Sequence, residues 1–239
     1  GGYILTKTLF QHSTIGALMD GMFEGTFPIE DLLQKGNMGI GTFHGLDGEL
    51  VLIDGTAYQI KVDGAVLETN LSKHIPYAAV THFDGENILE ITTHHTKDEF
   101  QDKIVEAFAT ENTFQAIQVT GTFNNMFCRS VAQQEEPYPR LVEVAKDQAE
   151  FRQETVEGTL VGFYTPKAYG TIAVPGFHLH FLSNNKDYGG HVLEFEINQA
   201  EVEWDMIETL EQHFPLRNET FMRSEIDYSR LEKDIEEAE

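Results

Sequence analysis

The sequence predicts an α/β (α+β) fold with two β-rich halves, and three observations lead to it. Short apolar or alternating runs recur along the chain, and turn-forming pairs such as Asp-Gly separate them. Few segments have helical spacing. A polar, proline-containing stretch at 133–139 interrupts the apolar pattern near the middle. With 239 residues, 41% of them apolar, the chain can bury one large or two small cores.

The first half is expected to begin with two helices and to continue as a β-meander. The second helix starts at Pro28, has acidic residues in its first turn and ends before Gly36. From Met38 onward, Asp47-Gly48 and Asp54-Gly55 mark hairpin turns between short strands. The predicted helices are 14–24, 28–35 and 97–109, and the predicted strands are 39–44, 49–53, 57–60, 77–83, 87–92 and 114–131.

The second half is expected to form another meander. We divide the chain at the polar interruption into an N-terminal domain, 1–135, and a C-terminal β domain, 136–239. The predicted strands here are 159–164, 169–174, 177–183 and 191–197, followed by a helix over 204–213 and an acidic, helix-compatible tail from 229. The tripeptides at 41–43 and 158–160 both begin a strand after a helical segment. An internal duplication that relates the two halves therefore stays an alternative.

Charge and cysteine content exclude several classes of protein. The 40 acidic residues outnumber 16 basic ones, for a net charge of -24. Such a chain lacks the clustered cations that bind nucleic acid or an anionic membrane surface. No run approaches the roughly 20 apolar residues of a membrane span. Cys128 is the single cysteine, so no internal disulfide and no cysteine-rich metal site can form. We expect a cytoplasmic protein, or a secreted one if a signal segment has been removed.

Three histidines are predicted to converge across a hairpin. In a strand over 177–183, His178 and His180 share one face. The turn formers at 184–190 predict that the chain doubles back, and a turn centred between residues 185 and 186 pairs His180 with His191. Opposed residues on antiparallel strands have Cβ atoms roughly 4.5–5.5 Å apart. Three imidazoles with an open position are typical of a catalytic zinc site, although iron, cobalt or manganese also accept such ligands. A chance grouping of histidines on an aromatic strand explains the same residues.

Two charged residues are candidates to work beside a metal. Glu49 follows a turn at the start of a strand, where its carboxylate can project beyond the sheet, although solvated hairpin residues occur there too. Arg129 lies in an apolar run without a neighbouring charge, and it must pair with an acid or bind an anion, because a buried unpaired guanidinium is costly.

Several of these segments together resemble the α-acetolactate decarboxylases. The similarity runs over nearly the whole chain and is most specific around the histidines. The segments that carry it are Gln11-His12-Ser13-Thr14-Ile15-Gly16-Ala17-Leu18, Gly41-Thr42-Phe43-His44-Gly45-Leu46-Asp47-Gly48-Glu49-Leu50, Phe127-Cys128-Arg129-Ser130, Pro175-Gly176-Phe177-His178-Leu179-His180 and Gly190-His191.

The resemblance implies a reaction and a fold. The reaction is the zinc-dependent decarboxylation of (S)-2-acetolactate to (R)-acetoin and carbon dioxide through a metal-stabilised enediolate, with one Zn²⁺ per chain and no organic cofactor. The fold combines a mixed β-sheet and flanking helices with a smaller antiparallel sheet or barrel, usually assembled as a homodimer. The substrate would be a small 2-hydroxy-3-oxo acid.

The resemblance also assigns roles to particular residues. By carry-over, His178, His180 and His191 hold the zinc, Glu49 lies against the metal and Arg129 faces the substrate. Thr42 would support the polar surroundings of the site. The family brings a glutamate from the C-terminal tail into the site, and among several candidates we assign Glu237.

Two other functions fit parts of the sequence. A cupin-type metal oxygenase also uses His-x-His and a further histidine, yet its usual glutamate is replaced here by Ser183 or Asn184. A non-catalytic module that binds a metal or a ligand is the second alternative. Oxygen consumption would favour the oxygenase, whereas bound zinc without acetoin formation would favour the module.

Overall fold

Strands make up most of the protein, and helices lie around them. The computed structural model describes residues 6–239. The strands, numbered in chain order, are β1 Thr8–His12, β2 Phe27–Pro28, β3 Met38–Thr42, β4 Glu49–Ile53, β5 Thr56–Ile60, β6 Val66–Glu68, β7 His74–Ile75, β8 Ala78–Thr81, β9 Asn87–Ile91, β10 His95–Thr96, β11 Gln115–Ser130, β12 Ala149–Thr165, β13 Gly176–Ser183, β14 Gly189–Met206 and β15 Thr209–His213. The α-helices are α1 Ile15–Met19, α2 Ile29–Lys35, α3 Lys97–Phe108, α4 Leu141–Ala145, α5 Glu219–Arg223 and α6 Leu231–Ala238.

The first sheet has the strand order β15-β1-β8-β3-β4-β5-β6 and is mixed. Strands β1 and β15 run parallel, and the other neighbours are antiparallel. Alternate residues point to opposite faces, so Phe10 packs in a cluster that includes Leu32 of α2, whereas Leu9 packs in a cluster that includes Val161 of β12. Apolar side chains therefore cover both faces of this sheet.

The second sheet closes on itself. Strand β11 pairs with β12, β12 with β13, β13 with β14, and β14 again with β11, all antiparallel. Strands β9 and β10 add to β14. Aromatic side chains fill the interior, where the ring of Phe123 contacts those of Phe181 and Phe195 edge to face. The arrangement matches the smaller antiparallel sheet or barrel that the resemblance implies, and the mixed α+β class is confirmed.

A third apolar cluster links the helices near the end of the first sheet. It joins Leu18 of α1, Leu141 of α4 and Ile235 of α6 with Leu46 and Tyr77. Helix α6 is amphipathic, and its buried residues are on the face toward α1 and α4. This packing holds the C-terminal helix over the place where the two sheets meet.

Most predicted elements are present, including the helices α2 and α3, the hairpins of the first meander, the long strand β11 and a helix in the acidic tail. Two predictions were wrong. Residues 204–213 form strand rather than helix, because Trp204 pairs with Ile117 of β11 and β15 pairs with β1. Tertiary pairing here overrides local helical propensity. Residues 169–174 form a turn, since Ile172 O accepts the backbone N–H of Ile15 instead of a strand partner.

Each sheet draws strands from both sides of residue 135. Strand β15 completes the first sheet, and β9, β10 and β11 belong to the second. The division into domains 1–135 and 136–239 stays a prediction. Among residues 6–239, none of the helices has the length and apolar character needed to cross a membrane.

Candidate metal centre and active site

Three histidines converge where β13 and β14 meet. His180 pairs directly with His191, as the hairpin prediction required, and His178 lies two residues earlier on the same face. One ring nitrogen from each histidine lies within 4.8 Å of the others. His180 and His191 are buried and His178 is nearly so. The strand register thus produces a compact set of three nitrogen ligands.

The surroundings keep these imidazoles neutral. Burial, together with the nearby Arg129 guanidinium, lowers the pKa of His178 to about 3. Burial also lowers the pKa values of His180 and His191 well below the usual range. His180 Nδ1 donates to the Leu50 carbonyl at 2.7 Å, which leaves its Nε2 as the free lone pair. Neutral imidazole is the form that binds a metal ion.

Two buried carboxylates face the histidines. Glu49 begins β4, and its Oε2 lies 3.6 Å from His180 Nε2. Glu239 follows α6, and its Oε2 lies 3.2 Å from His191 Nε2 and 3.6 Å from His178 Nε2. Burial raises the pKa of Glu49 to about 7, while Arg129 opposes the rise and Glu239 adds to it. Burial raises the pKa of Glu239, and Arg129 again opposes this.

Arg129 of β11 lies opposite His191 of β14, and its guanidinium faces both carboxylates. Its Nη2 donates to Glu239 Oε2 at 3.3 Å, and its Nη1 donates to Gln148 Oε1 at 3.1 Å. Its Nε lies 3.9 Å from Glu49 Oε1, beyond hydrogen-bond distance, and has no hydrogen-bond partner within residues 6–239. One N–H of a buried guanidinium is therefore left to bind an anion.

Thr42 supports the turn that presents Glu49. The two residues are register partners on β3 and β4, and Thr42 Oγ1 donates to the Gly48 carbonyl at 2.7 Å. Gly48 has a φ of 79°, a left-handed conformation that glycine adopts without steric cost. The hydroxyl therefore holds the residue before Glu49 in place.

These groups line one pocket. The polar part of the lining consists of the histidines, both glutamates, Arg129 and Thr42. The rest of the lining is largely apolar and belongs to the third cluster. The apolar or partly apolar residues of the lining are Leu18, Leu46, Tyr77, Val131 and Leu141. The pocket can thus bind a small anion that also has apolar groups.

The structure brings Glu239, rather than the assigned Glu237, against the histidines. Glu237 is half exposed and faces Lys233 at 3.7 Å on the outer surface of α6. Residues two apart on a helix differ by about 200° in direction, so both cannot face the pocket. Ile235 and Ala238 mark the buried face of α6, and this helical phase is the signal that would have favoured Glu239.

Two further contributors were not predicted. Gln148 orients Arg129, and Tyr77 lines the pocket. Neither residue has a motif or spacing that ties it to the histidines, because both reach the site through long-range strand pairing. The remaining predicted residues, Glu49, Arg129 and Thr42, come together in this one pocket.

Comparisons with known proteins agree on one family. The family model for alpha-acetolactate decarboxylase matches residues 9–228. The alpha-acetolactate decarboxylase of Lactococcus lactis subsp. lactis is 40% identical over 231 residues, which cover 97% of this chain and 98% of the relative. That of Brevibacillus brevis is 41% identical over 209 residues, 87% of this chain and 73% of the relative. The crystal structure of the Bacillus subtilis strain 168 alpha-acetolactate decarboxylase superposes with a TM-score of 0.95 at 33% identity, covering 97% of this chain and 99% of that one.

Proposed function

Because the chain belongs to the alpha-acetolactate decarboxylase family and is a carboxy-lyase, we propose that it converts (S)-2-acetolactate to (R)-acetoin and carbon dioxide with the aid of zinc. The observation that carries the proposal is the pocket itself. It joins three neutral histidines, two buried carboxylates and an arginine with an unused N–H. The negative charge and the apolar groups of a small 2-hydroxy-3-oxo acid match the residues that line this site.

The histidines fit a zinc ion. Their nitrogens are close together, their low pKa values keep the lone pairs free, and His180 is oriented by a carbonyl acceptor, as metal-binding imidazoles commonly are. His191 Nδ1 is buried without a hydrogen-bond partner among the described residues, so the protein alone does not satisfy this imidazole. We propose His178, His180 and His191 as the ligands. A bound Zn²⁺ would act as a Lewis acid toward the substrate oxygens on which negative charge develops as carbon dioxide leaves.

Arg129 is proposed to attract and orient the substrate carboxylate. Its Nε–H has no protein acceptor, and its Nη groups are already fixed by Gln148 and Glu239. A guanidinium held in this way presents its free donor in one direction, so the scissile bond takes a defined orientation in the pocket.

Glu49 or Glu239 is proposed to deliver the proton that replaces carbon dioxide. Both carboxyl groups are buried beside the histidines. Glu49 approaches Arg129 from the start of β4, and Glu239 approaches it from the end of α6. A general acid has to lie within reach of the carbon that it protonates, and a fixed acid on one face sets the configuration of the product. The pocket thus explains why one acetoin enantiomer would form.

The test combines metal analysis with product analysis on one preparation. We expect close to one zinc per chain and (R)-acetoin from racemic acetolactate, and a metal-stripped sample should lose turnover and regain it with Zn²⁺. Decarboxylation at full rate without metal would contradict the zinc-dependent mechanism. Oxygen consumption would indicate an oxygenase instead, and bound zinc without acetoin would indicate a non-catalytic module.

We also propose that the protein works as a homodimer in the cytoplasm. Large apolar side chains are exposed close together along the chain at Phe214, Leu216 and Met222, a pattern that marks contact surfaces. Cys128 is buried and unpaired, so the fold does not require an oxidising compartment. Light scattering at several concentrations should give twice the chain mass, and Leu216→Glu should shift the mass toward the monomer. A monomer throughout would contradict the dimer.

A further inference from the structure

Tyr77 is the polar residue of the otherwise apolar pocket wall. It precedes β8, and its carbonyl accepts the backbone N–H of Thr42 at 3.2 Å, which fixes it beside the end of β3. Its ring packs with Leu18, Leu46 and Val131, and only 3% of the residue is exposed. The backbone and the ring are thus firmly held.

The Tyr77 hydroxyl makes no hydrogen bond to residues 6–239, and Tyr77 is one of the residues that line the pocket. Buried tyrosine hydroxyls usually find a partner. Tyr188 illustrates this, since its hydroxyl lies 3.0 Å from the Met126 carbonyl and 2.8 Å from that of Phe151. The hydroxyl of Tyr77 is therefore a donor that folding leaves unused, beside a pocket that would bind an oxygen-rich anion.

The hydroxyl stays protonated in this position. Burial raises the pKa of Tyr77 above its usual range, and the negative charge of Glu239 raises it further. The hydroxyl of Thr42, the other hydroxyl in the pocket lining, already donates to the Gly48 carbonyl. A ligand oxygen that faces the apolar wall would accordingly have Tyr77 as its donor.

We propose that Tyr77 is a substrate-binding residue, whose hydroxyl donates a hydrogen bond to an oxygen of the 2-hydroxy-3-oxo acid. This inference rests on the proposed function and extends it to a residue that neither motif nor spacing indicates. An oxygen pressed against Leu18, Leu46 and Leu141 without a donor would lose its hydration and gain nothing in return. Tyr77 thus supplies a hydrogen-bond donor from the otherwise apolar part of the pocket lining.

The experiment compares Tyr77→Phe with Tyr164→Phe in the zinc-loaded protein. The first change removes only the unused hydroxyl. The second removes the hydroxyl of a similarly buried tyrosine that lies outside the pocket, 3.5 Å from Glu111. For Tyr77→Phe, we expect kcat/KM for acetolactate to fall about 10- to 100-fold, the range for one lost hydrogen bond in a desolvated site. Tyr164→Phe should stay within twofold of the parent protein.

Binding is measured separately with 2,3-dihydroxy-2-methylbutanoate, the substrate with its ketone reduced, which cannot decarboxylate because no carbonyl accepts the electrons. Calorimetry well below the melting transition should show a similar loss of affinity for Tyr77→Phe, with unchanged zinc content. Affinity and kcat/KM both within twofold of the parent would overturn the inference. If the parent protein binds this compound but forms no acetoin from acetolactate, the proposed reaction is contradicted. The affinity comparison then still decides the role of Tyr77.

Discussion

Histidines face each other across paired strands at two places in this protein. His180 lies opposite His191 in the antiparallel pair β13–β14, and His12 lies opposite His213 in the parallel pair β1–β15. In both pairs, one imidazole at least is fully buried. Strand register alone therefore brings imidazoles together in two unrelated settings.

The two places differ in how the ring nitrogens are satisfied. His12 Nδ1 lies 2.8 Å from His213 Nδ1, and its Nε2 lies 2.6 Å from Thr26 Oγ1, so both nitrogens have protein partners. In the group of three, His180 uses one nitrogen on a carbonyl, and one nitrogen of each histidine faces the others beside carboxylates and Arg129. What distinguishes a ligand site is thus the unused lone pair and the charge around it, and not the pairing of histidines.

The largest effect is expected when a histidine of each group is replaced. His180→Ala removes a proposed zinc ligand, so zinc content should fall from about one per chain to near zero and turnover should drop more than about 1,000-fold. His213→Gln is the matched control, since it alters the exposed member of the other pair and should keep both zinc and turnover. Loss of zinc in the control, or zinc retained in His180→Ala, would contradict the distinction between the two groups.

Arg129→Ala separates substrate orientation from metal binding. The guanidinium contacts both glutamates but none of the proposed ligands requires it, so zinc content should be retained. Turnover should fall about 100- to 1,000-fold because a preorganised charge is lost. Parallel measurements of zinc content and kcat/KM check this, and a variant that loses its zinc would show that Arg129 holds the metal site together.

Glu239→Gln and Glu237→Gln test which glutamate at the end of α6 acts in the pocket. Glu239 is buried against His191, whereas Glu237 is half exposed beside Lys233. Turnover of Glu239→Gln should fall about 100-fold, within the range for a general acid or a charged neighbour of the metal, and Glu237→Gln should stay within twofold. The opposite ranking would restore the sequence-based assignment. Glu49→Gln in the same assay shows which glutamate matters more.

Much of the candidate metal centre could be predicted because it depends on local geometry. His178, His180 and His191 lie within one hairpin, where alternation along a strand and the turn centre determine which residues face each other. Glu49 and Thr42 likewise belong to one hairpin. Here a short stretch of sequence contains all the information that the arrangement needs.

The rest depends on pairing between distant segments, which local patterns do not encode. Tyr77 reaches the pocket through the pairing of β8 with β3, and β15 becomes a strand only because β1 lies beside it. Glu239 enters through the packing of α6 on α1 and α4. Helical propensity at 204–213 was overridden in the same way, since tertiary contacts decide between nearly equal local preferences.

The smallest expected effect concerns the second histidine pair and appears in stability. Burial lowers the pKa of His12 to about 3, and His213 contributes to this shift. Between about pH 6.5 and 3, the unfolded chain therefore binds a proton at His12 that the folded chain does not, so the free energy of unfolding decreases as the pH falls. This amounts to about 2 kcal/mol at pH 5, because each unit of pKa difference corresponds to about 1.4 kcal/mol.

His12→Gln removes this one titration while the three pocket histidines remain. Denaturant unfolding of both proteins in the same metal state should show that the parent loses about 2 kcal/mol more than the variant between pH 7.5 and pH 5. Contributions of the titrating groups that do not contact His12 are common to both proteins and cancel in the difference. Stability curves that run parallel over this range would mean that His12 accepts a proton inside the fold. The His12–His213 pair would then carry a positive charge inside the fold. Its neighbours Phe27 and Thr26 make this unfavourable, because neither supplies a negative partner.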